Sequence, residues 1–164
     1  MNKKYYKNID LIRVISFIAI FLYHLGILKG GYLAVCIFFT LSGYLSISSA
    51  YKQDDFRVIK YYKNRLIKLY LPLVLVTFIS IAVISLIPNI NFFNLKSETT
   101  SVLFGYNNFW QLSANMDYFA RHTSSPFMHF WYIAILLQFD LIFPYFYMLL
   151  KKIEERIGKN IVTV

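Results

Sequence analysis

IDLIRVISFIAIFLYHLG, residues 9–26, is apolar enough to cross a membrane. It also holds three residues that a membrane span should not contain: Asp10, Arg13 and His24. Crossing a hydrocarbon layer of about 30 Å takes about 20 helical residues. Four stretches of the 164-residue chain meet that length, at roughly 9–28, 31–50, 69–88 and 130–150. The chain is 58% hydrophobic and 20% aromatic, with mean hydropathy +0.52. Soluble domains of this size are rarely so apolar. The first stretch is too long for the apolar part of a secretory signal, and no small-residue cleavage site follows it. The expectation is an all-helical bundle of about four membrane spans in a single domain, 1–164.

The charge of +9 would suit nucleic acid in a soluble protein, but its placement argues against that partner. Lys3, Lys4 and Lys7 precede the first stretch. Lys52, Arg57, Lys60, Lys63, Arg65 and Lys68 lie between the second and third, and Lys151, Lys152, Arg156 and Lys159 follow the fourth. Thirteen of the 17 basic residues thus fall on one side of an alternating four-span chain, and Lys29, Lys96 and Arg121 on the other. The positive-inside rule then puts both termini in the cytoplasm of a multi-pass plasma-membrane protein. The basic residues are explained by topology and attraction to an anionic lipid bilayer, without nucleic acid. The single cysteine, Cys36, excludes an intrachain disulfide, and no metal-ligand cluster is evident.

Between the stretches, KGG at 29–31 fits a tight turn. In the connector 51–68, Phe56, Ile59, Tyr62, Leu66 and Leu69 recur near helical period among basic residues. That pattern predicts an amphipathic cytoplasmic helix running into the third span, with Pro72 in the span's first turn. The outer connector, about 89–129, is long for a structureless loop. Its Phe92, Phe93, Phe104, Tyr106, Phe109, Trp110, Tyr118 and Phe119 predict a partly folded element on or in the membrane.

Arg13 and His24 are eleven residues apart, which on a helix is three turns plus roughly 20°. They share a face, about 16 Å apart along the axis. Asp10 precedes Arg13 by three and is placed to pair with it. A charge in the bilayer is costly, about 2.5–3.5 kcal/mol on the most lenient scale, so the face should look into protein or water. A snorkelling arginine and an interfacial histidine are the structural alternative. On charge and periodicity alone, an enzyme, a non-enzymatic proton-coupled carrier or channel subunit, and an inactive truncated fragment all stay open.

Four motifs in order resemble the acyltransferase-3 family of membrane acyltransferases: Arg13 with ten residues to His24; GGYLAVCIFFTLSGYL at 30–45; RLIKLYLP at 65–72; and SPFMHFWYIAILLQFDLIFP at 125–144. The resemblance is nearest to bacterial peptidoglycan and envelope-polysaccharide O-acetyltransferases. It implies transfer of an acetyl group from acetyl-CoA to a hydroxyl of a cell-envelope carbohydrate. This chain has Ala34-Val35-Cys36 where the family has Gly-Val-Asp, Leu136 at an acidic position and Lys68 at a usual arginine. The family domain has about twice as many spans, so the resemblance implies its N-terminal portion, either a truncated product or a chain whose missing spans a partner supplies.

Acyl transfer from a thioester needs a hold on the anionic donor, a base for the hydroxyl and stabilisation of the oxyanion. The resemblance makes Arg65 and Lys68 the acyl-CoA-binding residues and Arg13 and His24 the catalytic ones. His24 acts as base or as covalent acyl carrier. His129 and Trp131 then stand where the acceptor arrives. Tyr44, beside Ser42 and Gly43, lines a substrate path, or its small neighbours serve close helix packing. No metal is implied.

Overall fold

The computed structural model describes residues 7–53, 55–88, 92, 94–114 and 125–157. All regular structure among them is helical: α1 (Lys7–His24), α2 (Ala34–Tyr51), α3 (Val58–Arg65), α4 (Leu71–Ser85), α5 (Leu95–Leu103), α6 (Asn107–Ser113) and α7 (Trp131–Ile157). Lys3, Lys4, Phe93, Tyr118, Phe119, Arg121 and Lys159 lie outside the described residues. The chain divides into two compact units, the first running to Asp55 and the second starting at Phe56.

Three helical runs are long and apolar enough to cross a membrane: Gly31–Tyr51, Val58–Ser85 and Met128–Ile157. They match the second, third and fourth stretches. The first stretch is a single 18-residue helix, but it holds Lys7, Asp10 and Arg13 within its first two turns. Its outward residues are nonetheless apolar, with Leu11, Val14, Ile15, Phe17 and Phe21 all exposed. Such a face suits lipid better than water.

In the first unit, α1 packs against α2. The helix ends at His24, earlier than the hydropathy predicts, because a paired backbone closure stops it. The Gly26 amide donates to the Tyr23 carbonyl at 2.9 Å and the Ile27 amide to the Leu22 carbonyl at 3.0 Å. These are the two bonds of a Schellman motif. The chain then returns through a 3-10 turn, Gly31–Leu33. Of the two adjacent glycines, Gly31 is the constrained one. A Cβ there would run into the Ala19 carbonyl and lie 2.8 Å from Tyr23 Cβ, whereas Gly30 has open space.

In the second unit, α3 and α4 join into one 28-residue helical run, as the amphipathic pattern predicts. The junction, Leu66–Tyr70, is π-helical. Pro72 sits in the first positions of α4. It has no N–H for the Lys68 carbonyl, and its ring crowds that carbonyl. A widened turn relieves both problems. In α7 the buried Pro144 likewise brings no N–H to the carbonyl of Asp140, yet the helix stays α-helical there.

The outer connector is partly folded, as expected, and α5 and α6 are its elements. Val102 of α5 joins Leu73 of α4 and Phe127 in a buried cluster, flanked by Ile81, Leu95, Phe130, Ile133 and Leu137. The Tyr70 hydroxyl donates to the Leu103 carbonyl at 2.9 Å. The end of α5 therefore lies beside the start of α4, about 22 Å along that helix from Ser85.

Candidate active site

The first unit carries the arginine and histidine on one unbroken helix, so their common face holds by helix geometry. Arg13 Nη1 donates to Asp10 Oδ1 at 3.1 Å, the pair anticipated from the spacing. Both side chains keep partial exposure, 44% and 36%. His24 is the last residue of α1, with Tyr23 edge-on to its ring at 5.4 Å. Tyr44 is an exposed residue of α2. Its neighbour Gly43 has open space around it, and the buried small residues of α2 are Ala34, Ser46, Ser48 and Ala50.

The second unit separates the two basic residues assigned to the donor. Arg65 ends α3 and is turned inward. Its Nε lies 3.4 Å from Asp140 Oδ1, and its guanidinium sits 5.5 Å over the Tyr61 ring. Lys68 stands on the π-turn and is exposed. The Tyr61 hydroxyl donates to the same Asp140 Oδ1 at 2.8 Å, and its ring stacks on Phe143 at 5.3 Å. Asp140 is only 5% exposed, and its Oδ2 has no hydrogen-bond partner. Sequence reasoning did not find Tyr61 or the pairing of Asp140 with Arg65. The basic periodicity of 56–69 hid them, because it reads as a surface helix.

A cleft of about 220 Å3 opens beside this cluster. Arg65, Asp140 and Gln138 line its polar side, and Tyr62, Tyr70, Leu103, Phe104 and Leu137 contribute its apolar walls. Gly105 (φ +69°) ends α5 and turns the chain into α6. Its carbonyl accepts from Gln138 Nε2 at 2.9 Å, which fixes this tip to α7.

His129 and Trp131 stand at the N-terminal end of α7, with His129 in a 3-10 turn, Met128–Phe130, and Trp131 as the first helical residue. Nine residues, about 14 Å along the helix, separate Trp131 from Asp140. A buried polar network holds this end. Gln111 Nε2 donates to the Met128 carbonyl and to Asn107 Oδ1, both at 2.7 Å. Asn107 Nδ2 donates to Ser101 Oγ at 2.9 Å. The Ser125 hydroxyl donates to Glu98 Oε1. Glu98 is fully buried, and Oε2 has no hydrogen-bond partner. Burial raises its pKa, opposed by the Ser125 hydroxyl and by the Phe127 amide, which acts without closing a bond to Oε2. Glu98 was missed because one acidic residue in a polar loop carries no signal in a single sequence. Among the described residues there is no group of three or more metal-ligating side chains.

The arrangement of motifs can be compared with known proteins. Residues 6–157 match the acyltransferase domain family, Acyl_transf_3. The chain belongs to the acyltransferase-3 family. It is 34% identical over 151 residues to O-acetyltransferase OatA of Staphylococcus aureus (strain NCTC 8325 / PS 47), covering 87% of this chain and 25% of that protein. It is 33% identical over 147 residues to the putative O-acetyltransferase SACOL0978 of Staphylococcus aureus (strain COL), covering 86% and 24%. This acyltransferase-3 chain thus spans about a quarter of the length of these relatives. No solved structure matches it.

Proposed function

We propose that this chain serves O-acetyl transfer from acetyl-CoA to a hydroxyl of a cell-envelope carbohydrate such as peptidoglycan, in the bacterial plasma membrane. The observation that carries the reading is family membership over residues 6–157, with Arg13 and His24 on one face of one helix inside that match. His24 takes the acceptor hydroxyl's proton as the oxygen attacks the thioester carbonyl, and the proton passes to the leaving thiolate. Arg13 binds an anionic oxygen through its planar fork. Arg65 and Lys68 hold donor phosphates from the cytoplasmic side. His129 and Trp131 stand on the acceptor side, with Tyr44 along the path. α1 crosses the membrane as the first of four spans, and further spans come from a longer protein or a partner.

The test is acetyl loading from radiolabelled acetyl-CoA in membranes that contain the chain. Label should appear in the envelope-carbohydrate fraction, and His24→Ala should reduce it by about 10²–10⁴-fold, the contribution of a positioned base. His24→Ala should leave acetyl-CoA binding in place. Transfer that survives His24→Ala unchanged removes His24 from the reaction.

A further inference from the structure

The turn after α1 fixes an aromatic ring beside the histidine. Gly31 is buried against α1, where a Cβ would run into the Ala19 carbonyl and lie 2.8 Å from Tyr23 Cβ. Only glycine fits that approach, and it sets the next residue, Tyr32, against the last turn of α1. The Tyr23 ring meets the Tyr32 ring edge-on at 5.6 Å and the His24 ring edge-on at 5.4 Å. Both contacts lie within the favourable range for tilted aromatic pairs, about 4.5–7 Å between centroids. Tyr23 is half-buried between the two, whereas His24 is exposed and Tyr32 keeps 39% exposure. A tyrosine of a membrane-interface belt needs only the right depth. Tyr32 has more than depth: a close backbone approach and a bracing ring hold it at a fixed place beside the imidazole.

We propose that Tyr32, braced by Tyr23, is the platform on which a pyranose ring of the acceptor lies while one of its hydroxyls faces His24. The assignment rests on the carbohydrate-acceptor reading above and deepens it. A pyranose carries C–H groups on its two faces and hydroxyls around its rim. Its C–H face suits the negative face of an aromatic ring, and the rim hydroxyls stay available for hydrogen bonds. The phenol adds a donor and an acceptor of its own at the ring's tip. Binding sites of this kind combine aromatic walls with a few placed polar groups, here the imidazole and the phenol. A relayed proton has no apolar face and gains nothing from such a ring, so the platform fits a sugar acceptor and not a proton carrier.

The test uses a soluble β-1,4-linked N-acetylglucosamine tetramer as probe, with the purified chain in deuterated detergent. Saturation of the protein's aromatic protons is read by NMR on the sugar. Transfer should favour the ring protons of one pyranose face. Tyr32→Leu should weaken the tetramer by about tenfold and abolish that bias. Tyr32→Phe and Tyr32→Trp keep a platform, so both should keep the bias and stay within about threefold of the unsubstituted affinity. Acetyl-CoA should bind all four chains alike. Three results overturn the assignment: no bias in the unsubstituted chain, tetramer affinity unmoved by Tyr32→Leu, or equal loss in the Leu, Phe and Trp variants. The first is read without any substitution and so covers a Tyr32→Leu chain that does not fold. A chain that shows the bias yet moves no acetyl overturns the transfer reading and leaves the platform standing. A chain that acetylates the envelope-carbohydrate fraction and shows no bias overturns the platform alone.

Discussion

Two buried carboxylates each leave one oxygen without a partner, and they differ in what surrounds them. Asp140 has a guanidinium and a phenol on its other oxygen. Glu98 has only neutral donors, the Ser125 hydroxyl and the Phe127 amide. Burial outweighs these donors at Glu98 and raises its pKa. The sign of the pH effect follows. Between the ordinary glutamate range and the raised folded value, the folded chain holds more protons than the unfolded one. Stability contributed by this group is then complete at acid pH and declines as pH rises through that window. Glu98→Gln keeps the acceptor for Ser125 and cannot ionise. Thermal unfolding in detergent should give similar midpoints for both chains near pH 4. Near pH 7 the variant should be the more stable. A wild-type advantage that grows with pH would show that Glu98 is ionised and satisfied in the fold.

At the scale of elements, the membrane helices were legible and their interruptions were not. Hydropathy locates the spans because their composition is dictated by lipid, whatever the neighbouring helices do. It cannot place the end of α1, which depends on the backbone closure at Gly26 and Ile27. It gives the amphipathic helix that runs into the span at Pro72 but not the π-turn that joins the two. The shared face of Arg13 and His24 was legible because it needs only a regular helix. The Arg65–Asp140 pair was not, because 75 positions separate two residues that helix packing brings together. The face can be tested without deleting either group. One alanine inserted between Arg13 and His24 turns the histidine by about 100°. If the face is a working unit, the insertion should depress acetyl transfer nearly as far as His24→Ala does, in protein that still accumulates. Arg13→Lys should also impair transfer or donor binding, since the charge stays and the planar fork goes. If both variants transfer acetyl normally, Arg13 is a snorkelling residue paired with Asp10, and His24 an interfacial one.

At the scale of the whole molecule, charge and packing make separate demands on one connector. The positive-inside pattern assigns α3 to the cytoplasm and the connector holding α5 and α6 to the outside. Within the second unit, the end of α5 nevertheless lies beside Tyr70, at the end of α4 that this pattern would put on the cytoplasmic side. Both hold if the connector enters from outside and folds back within the membrane layer. Irregular backbone at such depth is tolerated only where protein covers it. The Gln138 side chain supplies part of that cover at the Gly105 carbonyl. Single cysteines placed in a Cys36→Ser background make the arrangement measurable in intact cells. An impermeant maleimide should label position 96 quickly, at the exposed start of α5. It should label position 104, at the re-entrant tip, far more slowly. Position 60 on α3 should react only after the membrane is permeabilised. Outside labelling at 60 would overturn the orientation, and equal rates at 96 and 104 would place the whole connector at the surface. A slow 104 that speeds up when α5 is loosened by Val102→Ala would tie the depth of the tip to its packing on Leu73 and Phe127.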